Sequence, residues 1–213
     1  MTPSRLAPLG AALLLAGCTG LATLTAAVEP KDLYDLTPKT SFEEDLPQID
    51  AQLVVEEPTA ASAVNTDRIA VKPNHFQVEY FPRARWVDRA PLMVQTRLVE
   101  SFENTGKVES VGRQAIGLTS DYTLVSELRE FQAMVRDDRS GPLSALVQLN
   151  VKIVKEPQGL IVASQSFGTE VVAASDEMID VVAAFDDALG STMREAVIWT
   201  VGRLAEFSGP PGG

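Results

Sequence analysis

The chain has 213 residues, 29 acidic against 18 basic side chains, a formal net charge of −11, one histidine and one cysteine. Its length and 45% hydrophobic content suit one domain with a sizeable core, while the acidic balance excludes the basic stripe that nucleic-acid binding needs. The lone cysteine excludes an intramolecular disulfide, and the lone histidine leaves little for a transition-metal site or a histidine-based mechanism.

Arg5 precedes an apolar run that starts near Ala7, centres on Leu13, Leu14 and Leu15, and ends at Ala16-Gly17-Cys18. About ten apolar residues fall well short of the roughly 20 that span a bilayer, so the run reads as an export signal. Leu15-Ala16-Gly17-Cys18 resembles a bacterial lipobox: small residues line the cleavage site, and the following thiol is the nucleophile that accepts a diacylglyceryl group. Residues 1–17 are therefore expected to be a lipoprotein signal peptide. Cys18 is expected to carry covalent diacylglycerol and N-acyl lipid, with no other cofactor. An ordinary signal peptide, or an N-terminal helix with an incidental buried cysteine, is the alternative. Cleavage removes Arg5 and no acid, so the mature chain is more acidic still, and membrane attachment falls to the lipid rather than to a basic patch. Thr19 stands where Asp retains enteric lipoproteins in the inner membrane, which points to the outer membrane. Residues 18–30 are mostly small and weakly polar and read as a flexible tether, 31–207 as a single periplasmic domain, and 208–213 as a disordered tail.

Within that domain, Lys31 to Leu36 predicts a short first strand and Thr37 to Gln48 a loop rich in Pro, Asp and Glu. Gln52–Glu56 and Arg68–Lys72 carry β-branched centres and predict strands, with a loop from Glu57 to Asp67 between them. Gln77 to Tyr80 alternates and predicts a strand ending before Pro82. Asp88 stands as an N-cap, Pro91 falls in a first turn, and Leu92, Thr96, Val99 and Phe102 recur at helical spacing up to a C′ glycine, Gly106.

Lys107–Arg113 predicts another strand. In Thr123–Val135 the apolar parity changes between Leu124/Leu128 and Phe131/Ala133/Val135, which either a bulge near Arg129 and Glu130 or burial on both faces explains. A turn at Asp137–Gly141 precedes strict alternation through Leu143, Ala145, Val147, Leu149, Val151 and Ile153. A second turn at Glu156–Gly159 returns the chain as Leu160–Thr169, completing an antiparallel meander. After Ser175-Asp176-Glu177, apolar residues from Met178 to Leu204 recur near 3.6 per turn and predict a long C-terminal helix; Gly190 inside it marks close packing or a kink. The expected class is α+β: a largely antiparallel mixed sheet with two principal helices packed on it.

Catalytic chemistry finds little footing. His75 sits in a turn without a nucleophile elbow, and Gly112–Gly117 has phosphate-loop glycine spacing but no following lysine. The carboxylate pairs Glu43-Glu44, Asp137-Asp138 and Asp186-Asp187 fall on loops or a helix surface and read as solvated charge. Arg83, Arg85, Trp86 and Arg89 concentrate cations and an indole where a strand hands over to a helix. They read either as a partner interface or as a core-capping Trp86 with arginines that neutralise nearby acids.

The lipobox, Tyr34-x-Leu36, Asp67-Arg68-Ile69, Tyr80, Trp86, Asp88-x-x-Pro91-Leu92, Leu124, Phe131, Phe185, Ala188 and Trp199, in that order, resemble the ABC-type transport auxiliary lipoproteins, among them the PqiC-like proteins. The resemblance implies a non-enzymatic accessory subunit facing the periplasm. Its partners would be an ABC permease and ATPase and an Mce-domain protein, moving lipids or other hydrophobic molecules across the envelope. Homo-oligomerisation stays open, as does the alternative of a stand-alone envelope scaffold or assembly lipoprotein.

Overall fold

The structure, a computed structural model, describes residues 31–113, 120–135 and 141–208. Its compact unit begins at Lys31. Strand β7 (Tyr122–Met134) organises the sheet. One edge of β7 pairs antiparallel along its whole length with β8 (Ser144–Lys155), which pairs antiparallel with β9 (Leu160–Val172). Three short strands share the other edge end to end, all parallel to β7: β2 (Ile49–Val55), β3 (Thr59–Ala60) and β4 (Arg68–Asn74). Beyond β2 lies β6 (Val108–Arg113), and beyond β4 lie β5 (Gln77–Trp86) and β1 (Asp32–Tyr34). The β7-β8-β9 meander is the antiparallel half expected from the alternation. The pairings onto β2, β3 and β4 are long-range, and the sequence offered no signal for them.

Helices α1 (Ala90–Thr105) and α2 (Met178–Ser208) lie on the same sheet face, touching where Ser101 and Met193 are both buried. Inward residues of β8 (Ala145, Val147, Leu149, Val151, Ile153) are at most 1% exposed, as are Phe185, Leu189, Met193, Ala196, Val197, Val201 and Leu204 of α2. The strict alternation of β8 therefore translates directly into a buried face under α2.

Several expectations change in physical detail. The Glu57–Asp67 segment is not all loop, because Thr59 and Ala60 pair with Glu127 and Leu128 of β7. Strand β5 does not stop before Pro82. It runs on to Trp86, and its register with β4 slips between Arg68↔Arg85 and Ala70↔Tyr80, so Pro82 occupies an irregular stretch where its missing N–H breaks no ladder. In α1 the N-cap is Arg89, at φ −59° and ψ 138°, with no side-chain cap. Asp88 instead accepts a 2.7 Å bond from the Arg89 N–H, and the Ala90 N–H donates to the Thr66 carbonyl at 3.1 Å. Gly106 closes α1 in the left-handed region at φ 61°, as its position suggested. The parity change in β7 is a bulge: Leu128 faces Leu149 and Glu130 faces Gln148, leaving Arg129 as the extra residue.

Strand β1 covers only Asp32–Tyr34 of the expected Lys31–Leu36, and α2 includes Ser208. A Cβ built on Gly190 meets nothing beyond its own helical turn within 4 Å, so close packing does not account for that glycine. Cys18, residues 1–30, the phosphate-loop-like end at Gly117, Asp137-Asp138 and the tail after Ser208 lie outside the described residues.

Candidate functional site

The Arg83–Arg89 segment, singled out for its charge and its tryptophan, forms the end of β5 and the entry to α1. Strand alternation sorts its side chains: Ala84 and Trp86 point into the core, and Arg83 and Arg85 point to the other face. Trp86 is 1% exposed, with its ring centroid 5.5 Å from that of Phe131 and 5.2 Å from that of Phe185. Phe131 and Phe185 are themselves 5.2 Å apart, so three aromatics from β5, β7 and α2 close a triangle. Of the two readings of Trp86, the structure takes the core one; the indole is not available to a partner in this fold.

The arginines bind the loop before β4. Arg85 Nη1 lies 2.7 Å from Asp67 Oδ1, while Arg89 reaches Glu57 at 2.8 Å and donates to Asn65 Oδ1 at 2.6 Å. The backbone joins in, since the Trp86 N–H donates to the Asp67 carbonyl at 2.8 Å. Next to this, the Arg68 guanidinium sits 3.5 Å from the Tyr80 ring centroid, and the Tyr80 hydroxyl donates to the Ala63 carbonyl at 3.1 Å. Arg85 and Arg89 thus act first as staples on Glu57, Asn65 and Asp67, whereas Arg83 is exposed. Glu57, Asn65 and Asp67, the partners in these staples, were not foreseen; the only signal was two carboxylates and an amide in a loop that faces an arginine-rich strand end.

Beside Arg89, the residues Glu56, Glu57, Leu92, Gln95 and Arg113 line a cleft of about 400 Å³. Gln95 is buried and donates to the Val55 carbonyl at 2.9 Å, and Arg113 donates to the Thr96 hydroxyl. Of the lining side chains, Gln95, Arg113 and Glu57 are engaged in contacts within the fold. His75 stands exposed at the β4–β5 turn and is not among the residues that line the cleft. Asp186 accepts from both the N–H and hydroxyl of Thr37, and Glu44 pairs with Arg194; these carboxylates tie the segment after β1 to α2. Arg97 on α1 likewise reaches Asp35, just after β1. Burial would lower its pKa, but hydrogen bonds to Asp35 and Glu100 and their charges outweigh that and raise it.

The arrangement is one of contacts. Among the described residues no group of three or more His, Cys, Asp or Glu side chains could hold a metal ion, and no helix is long and apolar enough to cross a membrane. The outer edge of β9 pairs with no other strand among the described residues, and along its 13 residues only Glu170 is charged.

The family model of the ABC-type transport auxiliary lipoprotein component matches residues 34–197. That range opens on the last residue of β1 and ends inside α2, and it includes the whole aromatic triangle. An uncharacterized protein of Bradyrhizobium diazoefficiens is 30% identical over 184 residues, which are 85% of this chain and 48% of that protein, so the chain spans about half the length of that relative. The crystal structure of protein XCC0632 from Xanthomonas campestris is similar with a TM-score of 0.76 at 29% identity, covering 83% of this chain and 99% of that one. A further crystal structure, of an uncharacterized protein, shares the fold with a TM-score of 0.57 at 15% identity, covering 84% and 99%.

Proposed function

This chain belongs to the ABC-type transport auxiliary lipoprotein family, and from that premise we propose that it is a non-catalytic docking or conduit component of an Mce-type ABC system that moves lipid or another hydrophobic molecule across the envelope. The observation that carries the reading is the family match over nearly the whole folded unit, from Tyr34 to Val197. Acylation of Cys18 anchors the domain, and Thr19 in the sorting position favours the outer membrane. The partners are an Mce-domain protein and the ABC permease and ATPase, which supply the energy this chain has no motif to supply. The outer edge of β9, which pairs with no other strand among the described residues, supports docking, because its free N–H and C=O groups can accept an added strand.

Affinity capture of the full chain from detergent-solubilised membranes tests the partnership. Recovery of an ABC permease or ATPase together with an Mce-domain protein is expected. Recovery of neither, under conditions that keep the domain folded, overturns the transport reading in favour of a stand-alone scaffold. Acylation is tested separately: Cys18→Ser should move the protein from the membrane pellet to the soluble fraction.

A further inference from the structure

We propose that the outer edge of β9 is covered by a second copy of this chain, the two β9 strands pairing antiparallel about a twofold axis at Phe167 while the two α2 helices pack side by side on one face of the joined sheet. The inference names the strand that this edge accepts, and it stands whether or not the transport reading does.

The hydrogen-bond phase of β9 fixes which of its backbone groups point outward. Ala173 N–H donates to the Leu143 carbonyl at 2.9 Å, one step beyond the opposed pair Ser144 and Val172. In an antiparallel ladder, opposed residues that exchange bonds alternate with opposed residues that do not. The register is regular from Ile153↔Ala163 to Ser144↔Val172, so the odd-numbered residues of this stretch bond to β8. Ser164, Ser166, Gly168, Glu170 and Val172 turn their N–H and C=O groups to the open side, where β9 meets no other strand among the described residues. The devices that blunt an edge are absent from this stretch: it has no Pro, no Lys and no charge on its inward face, and the one register shift lies before it, between the Ile153 and Val154 pairs.

Self-pairing suits the edge. Its only charge, Glu170, accepts a 2.5 Å bond from the Ser144 hydroxyl and so lies against its own sheet. With the axis at Phe167, Ser166 opposes Gly168 of the second copy and Glu170 opposes Ser164, which leaves the two Glu170 carboxylates roughly 20 Å apart.

The helices fit the same axis. Helix α2 rests on both β8 and β9, and its half-buried Trp199 meets Phe167 edge to face with ring centroids 5.7 Å apart. A helix seated above the line between β8 and β9 stands about 5 Å from the axis, so the two copies lie about 10 Å apart, the spacing of packed helices. Glu195 and Arg203, both exposed, flank Trp199 one helical turn to either side and share its face of α2. An antiparallel crossing at Trp199 sets each Glu195 against Arg203 of the other copy. Arg203 also pairs with Glu206, an exposed bond that leaves guanidinium donors for a second carboxylate. A contact about 30 Å long and two layers deep buries on the order of 1,200 Å² in total, the size at which specific dimers begin.

The test follows the mass of the chain from residue 18 onward, carrying Cys18→Ser so that neither lipid nor thiol contributes, by sedimentation equilibrium. A dimer at micromolar concentration is expected. Glu195→Arg should weaken it by about tenfold or more, and adding Arg203→Glu should restore it to within about threefold of the parent. Ser166→Pro, which removes an outward N–H and no bond to β8, should leave a monomer with unchanged far-UV circular dichroism; should that proline disturb the strand, the charge swap carries the test alone. Nitroxides at Ser164→Cys and, separately, at Val172→Cys should lie about 20 Å and about 33 Å from their counterparts across the axis. A monomeric parent, the result given by an edge kept for another protein's strand, overturns the proposal. So does a dimer or larger ring that is indifferent to Glu195→Arg or that sets the two label pairs at equal distances.

Discussion

Trp86 and Phe185 meet edge to face, with ring centroids 5.2 Å apart and planes at 81°. That contact joins the end of β5 to the first third of α2, elements separated by about half the chain, and Phe131 on β7 completes the triangle. All three residues are at most 2% exposed. Replacing Trp86 with Ala leaves a large void that two neighbouring rings cannot fill, so a loss of about 3–5 kcal/mol is expected. Urea unfolding followed by far-UV circular dichroism measures it, and a loss below about 1 kcal/mol would show that the triangle does not organise the core.

Arg83→Ala should behave in the opposite way. Its side chain is exposed on the face away from Trp86, and a change within about 0.5 kcal/mol is expected from the same unfolding measurement.

For Arg85 and Arg89 the expected effect is local. Their ion pairs with Asp67 and Glu57 are part-exposed, so each alanine variant should cost no more than about 1 kcal/mol globally. The staple should nonetheless loosen where backbone bonds depend on it. Amide exchange at Trp86 and Ala90, which donate to the Asp67 and Thr66 carbonyls, should speed up in the Arg85→Ala, Arg89→Ala double variant. Unchanged exchange at both amides would mean that the loop holds itself.

These contrasts explain what could be read before the structure. The alternation from Leu143 to Ile153 and the 3.6-residue spacing from Met178 to Leu204 report local geometry, so β8 and α2 were legible. The parity change at Arg129 was legible too, because a bulge alters the sequence period itself. Strand β3 was not: two residues, Thr59 and Ala60, carry no period, and only the edge of β7 makes them a strand. Pro82 misled for a related reason. It ends a regular ladder, yet β5 continues by slipping register around it. At the Arg83–Arg89 segment the residue types were visible, but their direction depended on the phase of a strand whose end had been placed too early. Once β5 runs to Trp86, Arg-Ala-Arg-Trp reads as alternation, with the indole inward.

Arg97 offers a prediction with a pH signature. It bridges Asp35 at 2.6 Å and Glu100 at 2.5 Å, and its side chain is only 17% exposed. Arg97→Gln keeps some hydrogen bonding but removes the charge, and a loss of about 1–2 kcal/mol is expected after discounting for the half-exposed carboxylates. The raised folded-state pKa fixes the sign of the arginine's own contribution. It is fully present below the unfolded value and is lost only as pH rises through the folded one, at strongly alkaline pH. The stability difference between parent and Arg97→Gln should therefore stay level between about pH 6 and 9. A deficit that collapsed across that window would assign the stabilisation to some other titrating group.

Gly190 should be a site where stability is gained. It lies inside the 31-residue α2, a place where glycine costs about 1 kcal/mol relative to alanine through backbone freedom in the unfolded chain. The natural justification would be a neighbour too close for a side chain, yet a Cβ at this position meets no atom beyond its own helical turn within 4 Å. Gly168 on β9 makes the contrast, since a Cβ there would come within 3.3 Å of Gln148 Cγ and the Val147 carbonyl oxygen. Gly190→Ala is expected to raise stability by about 0.5–1 kcal/mol, visible as a higher midpoint in thermal unfolding, whereas Gly168→Ala should be neutral or destabilising. If Gly190→Ala instead weakened capture of transport partners while raising the melting temperature, the glycine would be keeping that face of α2 clear for a neighbouring subunit.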